Sequence, residues 1–238
     1  MGIAKILGFK SKPHRIVVAL DPIGLSQEKA LEWSNSILRD VEGIVSGVKV
    51  GLPFILRVGL NNVKKLINEF QDSYFWIADL KLADVAHILV DVADVLHDTG
   101  FDAIITHLFI GREGALNELS SKCKDLGLGL IGVLVMSHKG ANDLFAKAYE
   151  DLLSIALDIS VAGFILPATM PYYIKRTREL IGWEKLILSP GVGVQGAKPG
   201  EALRNGADFE IIGRTITFSE NPKMSAERIA KIHEEVLR

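Results

Sequence analysis

The sequence contains a single cysteine, Cys123, among 238 residues. One thiol cannot form an internal disulfide, and it cannot supply the several sulfur ligands of a cysteine-rich zinc site. Cys123 falls on an apolar stripe with helical spacing, which indicates a buried and unreactive thiol. Disulfide scaffolds and cysteine-rich zinc modules are therefore excluded.

Long apolar runs and an excess of charge are also missing. No segment approaches the roughly 20 apolar residues that a membrane-spanning helix needs, and residues 1–7 lack the apolar core and cleavage signature of a signal peptide. The net charge is −2 and no basic stripe is present, so the sequence carries no electrostatic footprint for nucleic acid. We expect a cytoplasmic protein that binds neither a membrane nor nucleic acid.

Apolar residues make up 48% of the chain, enough for a sizeable core in one large or two small domains. Apolar, β-branched runs alternate with helical patterns about eight times along the chain. Such near-continuous apolar strands are typical of a parallel sheet that is covered on both faces. The predicted strands are residues 15–20, 44–50, 74–83, 103–106, 128–135, 164–166, 186–188 and 209–212. The helices predicted between them include residues 27–41, 113–126 and 143–157. Ser26 is the predicted N-cap of the first of these helices.

This alternation predicts an α/β protein with a (β/α)₈ TIM-barrel fold. We expect one barrel domain over residues 1–238, with residues 1–14 as a short N-terminal lead-in. The length is close to the roughly 250 residues typical of such barrels. A doubly wound open sheet would use fewer strands and a glycine-rich first turn, whereas the first turn here reads Leu20-Asp21-Pro22.

The third predicted strand ends in charged residues. Asp79 and Lys81 are two positions apart, so regular strand geometry places them on one face, and Asp84 follows just beyond. Charges cost several kcal/mol to bury unless they are paired. Asp79 and Lys81 therefore form either a structural ion pair or part of a reaction centre, and the spacing alone leaves both interpretations open.

Polar residues also lie at or just after the ends of most of the other predicted strands, at the barrel edge where TIM-barrel enzymes carry their chemistry. They include Asp21, Lys49, His107, Ser137 and Arg214. Ser137 has no evident histidine and acid partners in the sequence, so we interpret it as a binding hydroxyl rather than a nucleophile. His107 is expected to pack or hydrogen-bond within the protein, and the role of His138 is open.

The last two strand ends predict a phosphate site. Pro190 is followed by the glycine-rich segment Gly191-Val192-Gly193-Val194-Gln195-Gly196, whose backbone can approach a ligand closely. Gly213-Arg214 adds a backbone donor and a guanidinium that suits a phosphate dianion. The loops after strands 7 and 8 are the usual phosphate site of this fold; the alternative is an ordinary turn beside a surface arginine.

A magnesium site built from Asp21, Asp79 and Asp84 is conceivable, because Mg²⁺ prefers oxygen ligands. Lys49 and Lys81 argue against it, since two ammonium groups would repel a divalent cation in the same pocket. The six histidines show no spacing typical of zinc ligands. The sequence therefore predicts no metal site.

Several of these motifs together resemble the orotidine 5′-monophosphate decarboxylase family, most closely its compact archaeal form. The resemblance covers nearly the whole chain from Arg15 onward and includes Ala19-Leu20-Asp21, Lys49-Val50-Gly51, Ala78-Asp79-Leu80-Lys81-Leu82-Ala83-Asp84, Met136-Ser137-His138, Ser189-Pro190-Gly191-Val192-Gly193-Val194-Gln195-Gly196 and Gly213-Arg214. Mg²⁺-dependent relatives, hexulose-phosphate synthase and ketogulonate-phosphate decarboxylase, carry an acid where Lys49 stands. Lys49 and Gln195 thus favour the orotidylate family, and a Mg²⁺-dependent sugar-phosphate lyase is the alternative.

The resemblance implies removal of CO₂ from orotidine 5′-monophosphate to give UMP in de novo pyrimidine biosynthesis, without a metal or organic cofactor. It implies that the catalytic residues are Lys81, Asp79, Lys49 and Asp84, and that the substrate-binding residues are Asp21, Ser137, Pro190, Gln195, Gly213 and Arg214. Residues 195–200 are the expected lid, because phosphate binding energy can drive closure over a distant reacting carbon.

The resemblance also implies a homodimer in which Asp84 reaches into the partner subunit's site. One position departs from the family pattern: Ile88 stands where a threonine is usual. The missing hydroxyl removes a polar contact between subunits, so we expect altered substrate affinity with the chemistry retained.

Overall fold

Eight parallel strands alternate with helices and close into a barrel in the computed structural model, which describes residues 2–12 and 14–238. Each strand pairs with its neighbour in sequence, and the last pairs with the first through Val17 and Ile211. The predicted TIM-barrel fold is therefore confirmed. The strands are β1 (Ile16–Leu20), β2 (Gly47–Gly51), β3 (Phe75–Leu82), β4 (Ala103–His107), β5 (Gly129–Val133), β6 (Gly163–Ile165), β7 (Leu186–Pro190) and β8 (Phe209–Ile212).

The helices cover the outside of the barrel and close its N-terminal end. They are α1 (Gly2–Phe9), α2 (Gln27–Asp40), α3 (Leu52–Val58), α4 (Leu60–Glu69), α5 (Ala86–Thr99), α6 (Asn117–Leu126), α7 (Tyr149–Asp158), α8 (Pro171–Ile181), α9 (Glu201–Arg204), α10 (Arg214–Thr217) and α11 (Pro222–Leu237). The predicted cap of α2 is confirmed, because the Ser26 side chain accepts the Lys29 backbone N–H.

Two predicted helices begin later than expected. The helix predicted from residue 113 is broken at Gly114, whose φ of +74° lies in the left-handed region, and α6 begins at Asn117. The helix predicted from residue 143 begins at Tyr149, after a 3₁₀ turn over Lys139–Asp143. Glu150 and Asp151 occupy the first turn of α7, where carboxylates favour the positive end of a helix dipole.

The N-terminal lead-in contains helix α1, which the sequence analysis did not anticipate. Ile6 and Phe9 of α1 are buried beneath the barrel. The Phe9 ring packs edge-on against Phe75 with centroids 5.5 Å apart, and Phe75 packs against Phe209 at 5.2 Å. A Cβ at Gly47 would lie 2.3 Å from the Phe75 ring, so glycine is required beside it. This end of the barrel is filled with aromatic side chains.

The structure bears on two expectations from the sequence: that Cys123 is buried and that no helix spans a membrane. Cys123 is buried in α6, and burial raises the pKa of its thiol to about 12, which suppresses the reactive thiolate. Across residues 2–12 and 14–238, no helix combines the length and apolar character needed to cross a membrane.

Candidate active site

A cavity of about 710 Å³ opens at the C-terminal ends of the strands. Every strand contributes to its lining, so the side chains that follow distant segments of the sequence converge here. The contributions from β1 to β8 include Ala19, Lys49, Asp79, Ile105, Val133, Ile165, Pro190 and Ile211. The cavity therefore lies at the end of the barrel where polar residues were predicted from the sequence.

Three charged side chains meet in this cavity. The Lys49 ammonium lies 3.0 Å from Asp79 Oδ2, and the Lys81 ammonium lies 2.8 Å from Asp79 Oδ1. Asp79 and Lys49 are almost entirely buried, whereas the Lys81 side chain is 36% exposed towards the opening. The three residues predicted to share a site are therefore in direct contact.

Mutual attraction keeps this group ionised. Burial by itself raises the pKa of the Asp79 carboxyl, but the charges of Lys49 and Lys81 outweigh burial and hold that pKa below its usual value. Burial by itself lowers the pKa of Lys49, and the carboxylates of Asp79 and Asp21 reverse this and raise it. These directions favour the ionised forms of Asp79 and Lys49 at neutral pH.

The backbone at Lys81 departs from a regular strand. Lys81 has a φ of +48°, and the register between β3 and β4 shifts between Ala78 and Leu82. A non-glycine residue in this region costs about 1–3 kcal/mol. The Thr106 hydroxyl donates a 2.9 Å hydrogen bond to the Leu82 carbonyl, next to the irregularity. Asp79 and Lys81 meet as predicted, but through a bulged strand and not through regular alternation.

Asp21 and Ser137 also line the cavity. Asp21 lies close to Lys49 around Gly51: a Cβ at Gly51 would be 3.1 Å from Asp21 Oδ1 and 3.8 Å from Lys49 Nζ. Glycine at this position therefore lets the second carboxylate approach the charged group. Ser137 follows β5 and presents a hydroxyl on another side of the cavity.

The glycine-rich segment after β7 forms one wall of the cavity, together with the residues that follow β8. Pro190, Gln195, Gly213 and Arg214 all line it, so four of the six predicted substrate-binding residues share this wall. Gly193 has a φ of +81°, and a Cβ there would lie 2.0 Å from Thr215 Oγ1. Glycine is thus required where the loop packs against the start of α10.

Asp84 is the one predicted catalytic residue that does not line the cavity. Its side chain is exposed, and its Oδ1 accepts the Val85 backbone N–H at 2.7 Å. Ile88, where the family threonine was expected, is exposed on the same segment. The prediction for Asp84 concerns a second subunit, so it stays a prediction.

The two histidines differ in their surroundings. The His107 ring packs against Phe109 and Phe145, with centroids 4.8 and 5.6 Å away. Burial and the nearby Lys81 charge lower the pKa of His107. Its surroundings are those of the packed histidine expected from the sequence. His138 is exposed and does not line the cavity.

Two polar side chains that line the cavity, Arg57 and Thr215, were not among the residues predicted from the sequence. Arg57 projects from α3 at the mouth of the cavity, where its guanidinium donates to the Leu25 carbonyl. Arg57 lies one helical turn after Pro53, which also lines the cavity. Pro53 was not itself predicted to line the cavity, so this helical spacing did not reveal Arg57 from the sequence.

The described part of the chain holds no group of three or more histidine, cysteine, aspartate or glutamate side chains arranged around a possible metal position. Within the cavity, both oxygens of Asp79 already contact ammonium groups. A divalent cation would have to displace Lys49 or Lys81 from this carboxylate. The charged group is therefore suited to a substrate that needs a positive side chain, rather than to a magnesium ion.

Comparison with known proteins identifies the family. Residues 14–229 match the model of the orotidine 5′-phosphate decarboxylase / HUMPS family. The chain belongs to this family. Among curated relatives, orotidine 5′-phosphate decarboxylase from Aeropyrum pernix is 37% identical over 91% of this chain and 87% of the relative. The enzyme of the same name from Sulfurisphaera tokodaii is 40% identical over 84% of this chain and 90% of the relative.

Solved structures of the family have the same fold. Orotidine 5′-monophosphate decarboxylase from Sulfolobus solfataricus superposes with a TM-score of 0.82 at 32% identity, covering 94% of this chain and 100% of that chain. The enzyme from Methanocaldococcus jannaschii, complexed with inhibitor BMP, gives a TM-score of 0.81 at 30% identity, covering 92% of this chain and 98% of that chain.

Proposed function

We propose that this chain decarboxylates orotidine 5′-phosphate to UMP and CO₂, a step of de novo pyrimidine biosynthesis. The observation that carries the proposal is the carboxylate of Asp79 held between Lys49 and Lys81 at one side of a cavity, with Gln195 and Arg214 at another. This arrangement offers separate positions for a reacting carbon and for a phosphate.

The nucleotide would occupy the cavity in three parts. Its phosphate would bind the backbone around Pro190 and Gly213 and the side chains of Gln195 and Arg214, because a guanidinium and backbone N–H groups are strong partners of a phosphate dianion. Asp21 and Lys49 would bind the ribose hydroxyls. Ser137 would hydrogen-bond the pyrimidine, and C6 of the ring would lie against Lys81 and Asp79.

The chemistry would then run through Lys81. The bond between C6 and the carboxylate carbon breaks, CO₂ leaves, and the electron pair stays on C6. The Lys81 ammonium stabilises that negative charge and donates a proton to form the C6–H bond of UMP. Lys81 recovers a proton from solvent, which its partly exposed side chain can reach.

The Asp79 carboxylate would repel the substrate carboxylate before the bond to C6 breaks. Two like charges about 4 Å apart repel by about 4 kcal/mol at an effective dielectric constant of 20. Departure of neutral CO₂ removes the substrate carboxylate and relieves this repulsion. Lys49 keeps Asp79 ionised, so that the carboxylate is charged when the substrate binds.

No metal or organic cofactor is required by this scheme. The Mg²⁺-dependent sugar-phosphate lyase is disfavoured because Lys49 occupies a position where those relatives carry an acid. The description of the family model names both orotidine 5′-phosphate decarboxylase and HUMPS. The curated relatives described above carry the decarboxylase name.

The direct test is to follow the loss of orotidylate absorbance with purified protein in the presence and absence of EDTA. We expect turnover that EDTA does not change. Activity that disappears with EDTA would support the lyase alternative. Tight UMP binding without any loss of orotidylate absorbance would instead support a phosphate-binding barrel that has no catalytic function.

We also propose a homodimer in which Asp84 completes the partner's site, because Asp84, Val85 and Ile88 form an exposed and partly apolar segment beside the end of β3. Mixed subunits provide the test. Lys81→Ala and Asp84→Asn proteins are each expected to be nearly inactive, but a mixed dimer restores one intact site. Random reassortment should recover about a quarter of the wild-type activity; no recovery would contradict a shared site.

The proposed location is cytoplasmic, since a charged nucleotide phosphate made in the cell does not leave it by diffusing across a membrane. Cell fractionation with an activity assay tests this proposal. Activity recovered only with a membrane or secreted fraction would contradict it.

A further inference from the structure

A fully buried pair of ionisable side chains lies outside the cavity. Glu210 is on β8 and His233 is on α11, and both side chains have 0% exposure. His233 Nε2 lies 2.8 Å from Glu210 Oε2 and donates to it, since a carboxylate oxygen accepts. Glu210 precedes Ile211, which lines the cavity, so Glu210 points to the opposite face of the strand.

The Glu210 carboxylate also holds the end of the loop that follows β7. Its Oε2 accepts the Gly200 backbone N–H at 2.9 Å, and its Oε1 accepts the Ala202 backbone N–H at 3.0 Å. Gly200 has a φ of +82°, and a Cβ there would lie 3.0 Å from Val236 of α11. One carboxylate therefore joins β8, the start of α9 and α11.

The loop between β7 and α9 has a buried base and an exposed tip. Ala197 and Gly200 are buried, whereas Val194 is 60% exposed and Gln195 is exposed beside it. The base is closed by a 2.8 Å hydrogen bond from the Gly193 N–H to the Ala197 carbonyl. Glu210 is attached to this base, four residues before Arg214 on the other segment of the predicted phosphate site.

We propose that Glu210 is a positioning residue for phosphate binding. It fixes the base of the loop relative to β8, so that Gln195 and Arg214 face one phosphate position before the ligand arrives. Preorganisation of this kind strengthens binding because less chain is ordered when the ligand binds. The inference rests on the proposed function, since it assumes that the ligand carries a phosphate.

A purely structural role is the competing explanation, and it predicts a different result. Buried polar pairs can often be replaced by apolar side chains without loss of stability, so stability alone does not require Glu210 and His233. If the pair only stabilised the barrel, its loss would weaken ligands with and without a phosphate equally.

The test is Glu210→Gln, with the affinities for UMP and for uridine measured by calorimetry. The glutamine amide has only one oxygen, so it cannot accept from Gly200, Ala202 and His233 together. We expect UMP to bind about tenfold more weakly while uridine changes less than twofold. Equal weakening of both ligands, or unchanged UMP affinity, would overturn the proposal.

Asp102→Asn is the matched control, because Asp102 is another buried carboxylate that accepts a backbone N–H, from Trp76, but at the opposite end of the barrel. It should leave the ratio of UMP to uridine affinity unchanged. If the wild-type protein itself binds UMP no more tightly than uridine, the proposed function fails instead.

A second measurement needs no variant, in case Glu210→Gln does not fold. In the wild-type protein, UMP should slow hydrogen exchange at the Gly200 and Ala202 amides more than uridine does, because the anchored base is stabilised by phosphate at the loop tip. Equal exchange with the two ligands would contradict the proposal.

Discussion

Buried aspartates occur at both ends of this barrel, and their partners differ. At the N-terminal end, Asp102 Oδ2 accepts the Trp76 backbone N–H at 2.8 Å and pairs with the Lys5 ammonium at 3.1 Å. At the C-terminal end, Asp79 contacts the ammonium groups of Lys49 and Lys81 and borders the cavity. One carboxylate is joined to the backbone, and the other faces space that a ligand can fill.

The N-terminal arrangement is repeated half a barrel away. Asp208 directly precedes β8 and accepts the Ile187 N–H of β7 at 2.8 Å, just as Asp102 precedes β4 and accepts an N–H of β3. Arg178 and Lys10 pair with Asp208 at 2.6 and 2.7 Å. Both aspartates therefore join neighbouring strands.

The contrast shows that burial of charge does not by itself identify a reaction centre. Burial dominates at Asp102 and raises the pKa of its carboxyl despite the Trp76 N–H and Lys5. At Asp79 the two ammonium groups outweigh burial and lower the pKa. Asp208 also contacts two cations but does not line the cavity, so the feature that distinguishes the site is the cavity beside the charged group.

The sharpest way to break the comparison is to remove one lysine from each end. Lys81→Ala should lower kcat by at least about 10⁴-fold, since it removes both the stabilising cation and the proton donor. UMP binding should stay measurable by calorimetry. Lys5→Ala, which removes the partner of Asp102, should leave kcat unchanged. Substantial residual turnover in Lys81→Ala would show that Lys81 is not the essential proton donor.

A smaller loss is expected from the phosphate side of the cavity. Arg214→Ala should raise the activation free energy calculated from kcat/KM by about 2–4 kcal/mol, by comparison with the loss of one preorganised stabilising group. Arg204→Ala is the control, because Arg204 is an exposed arginine that does not line the cavity. Steady-state kinetics of both variants decide the matter, and similar losses in the two would indicate a nonspecific charge effect.

The strained strand at Lys81 gives a third test. Thr106→Val keeps the side-chain volume but removes the hydrogen bond to the Leu82 carbonyl, so kcat should fall by about fivefold, the equivalent of about 1 kcal/mol. Thr99→Val removes a comparable bond to the Val95 carbonyl in α5 and should affect only thermal stability. Unchanged kcat in Thr106→Val would show that the bulge does not depend on this hydroxyl.

The smallest effect is in the pH dependence of stability. Because the folded pKa of Asp79 lies below its ordinary value of 3.8, its stabilisation is present above that value and is lost as the pH falls through the folded pKa. Asp102 has the opposite sign: its raised pKa stabilises the fold below 3.8, and this contribution is lost as the pH rises through the folded pKa.

Urea unfolding between about pH 5 and about pH 2 separates these contributions. Asp79→Asn should reduce the loss of stability on acidification, whereas Asp102→Asn should increase it. The same slope in both variants would show that the two carboxylates do not differ in the way their surroundings indicate.

Much of the fold followed from local sequence patterns. The eight apolar runs and the Ser26 cap are local signals, and each corresponds to an observed element. The start of α6 was misplaced because the break at Gly114 requires a left-handed backbone. Helix α1 was missed because its stability comes from packing Ile6 and Phe9 beneath the barrel.

Part of the candidate site was also predictable from the sequence. Asp79, Lys81 and Arg214 were identifiable because they lie at or just after the ends of apolar strands, and parallel strands bring their ends to one edge. Arg57 and Thr215 were missed because they project into the cavity from helices that follow the strands. The buried contact of Glu210 with Gly200 and His233 joins distant positions in the chain.

The sequence by itself determined the order of strands and helices, the types of charge at the strand ends and the family to which they belong, since these depend on residue identity and local spacing. The tertiary structure decided which charges share a cavity and which join strands. It also decided how Lys81 is bent towards Asp79 and what holds the loop after β7. Those features depend on distances between residues far apart in the chain, and only closure of the barrel sets them.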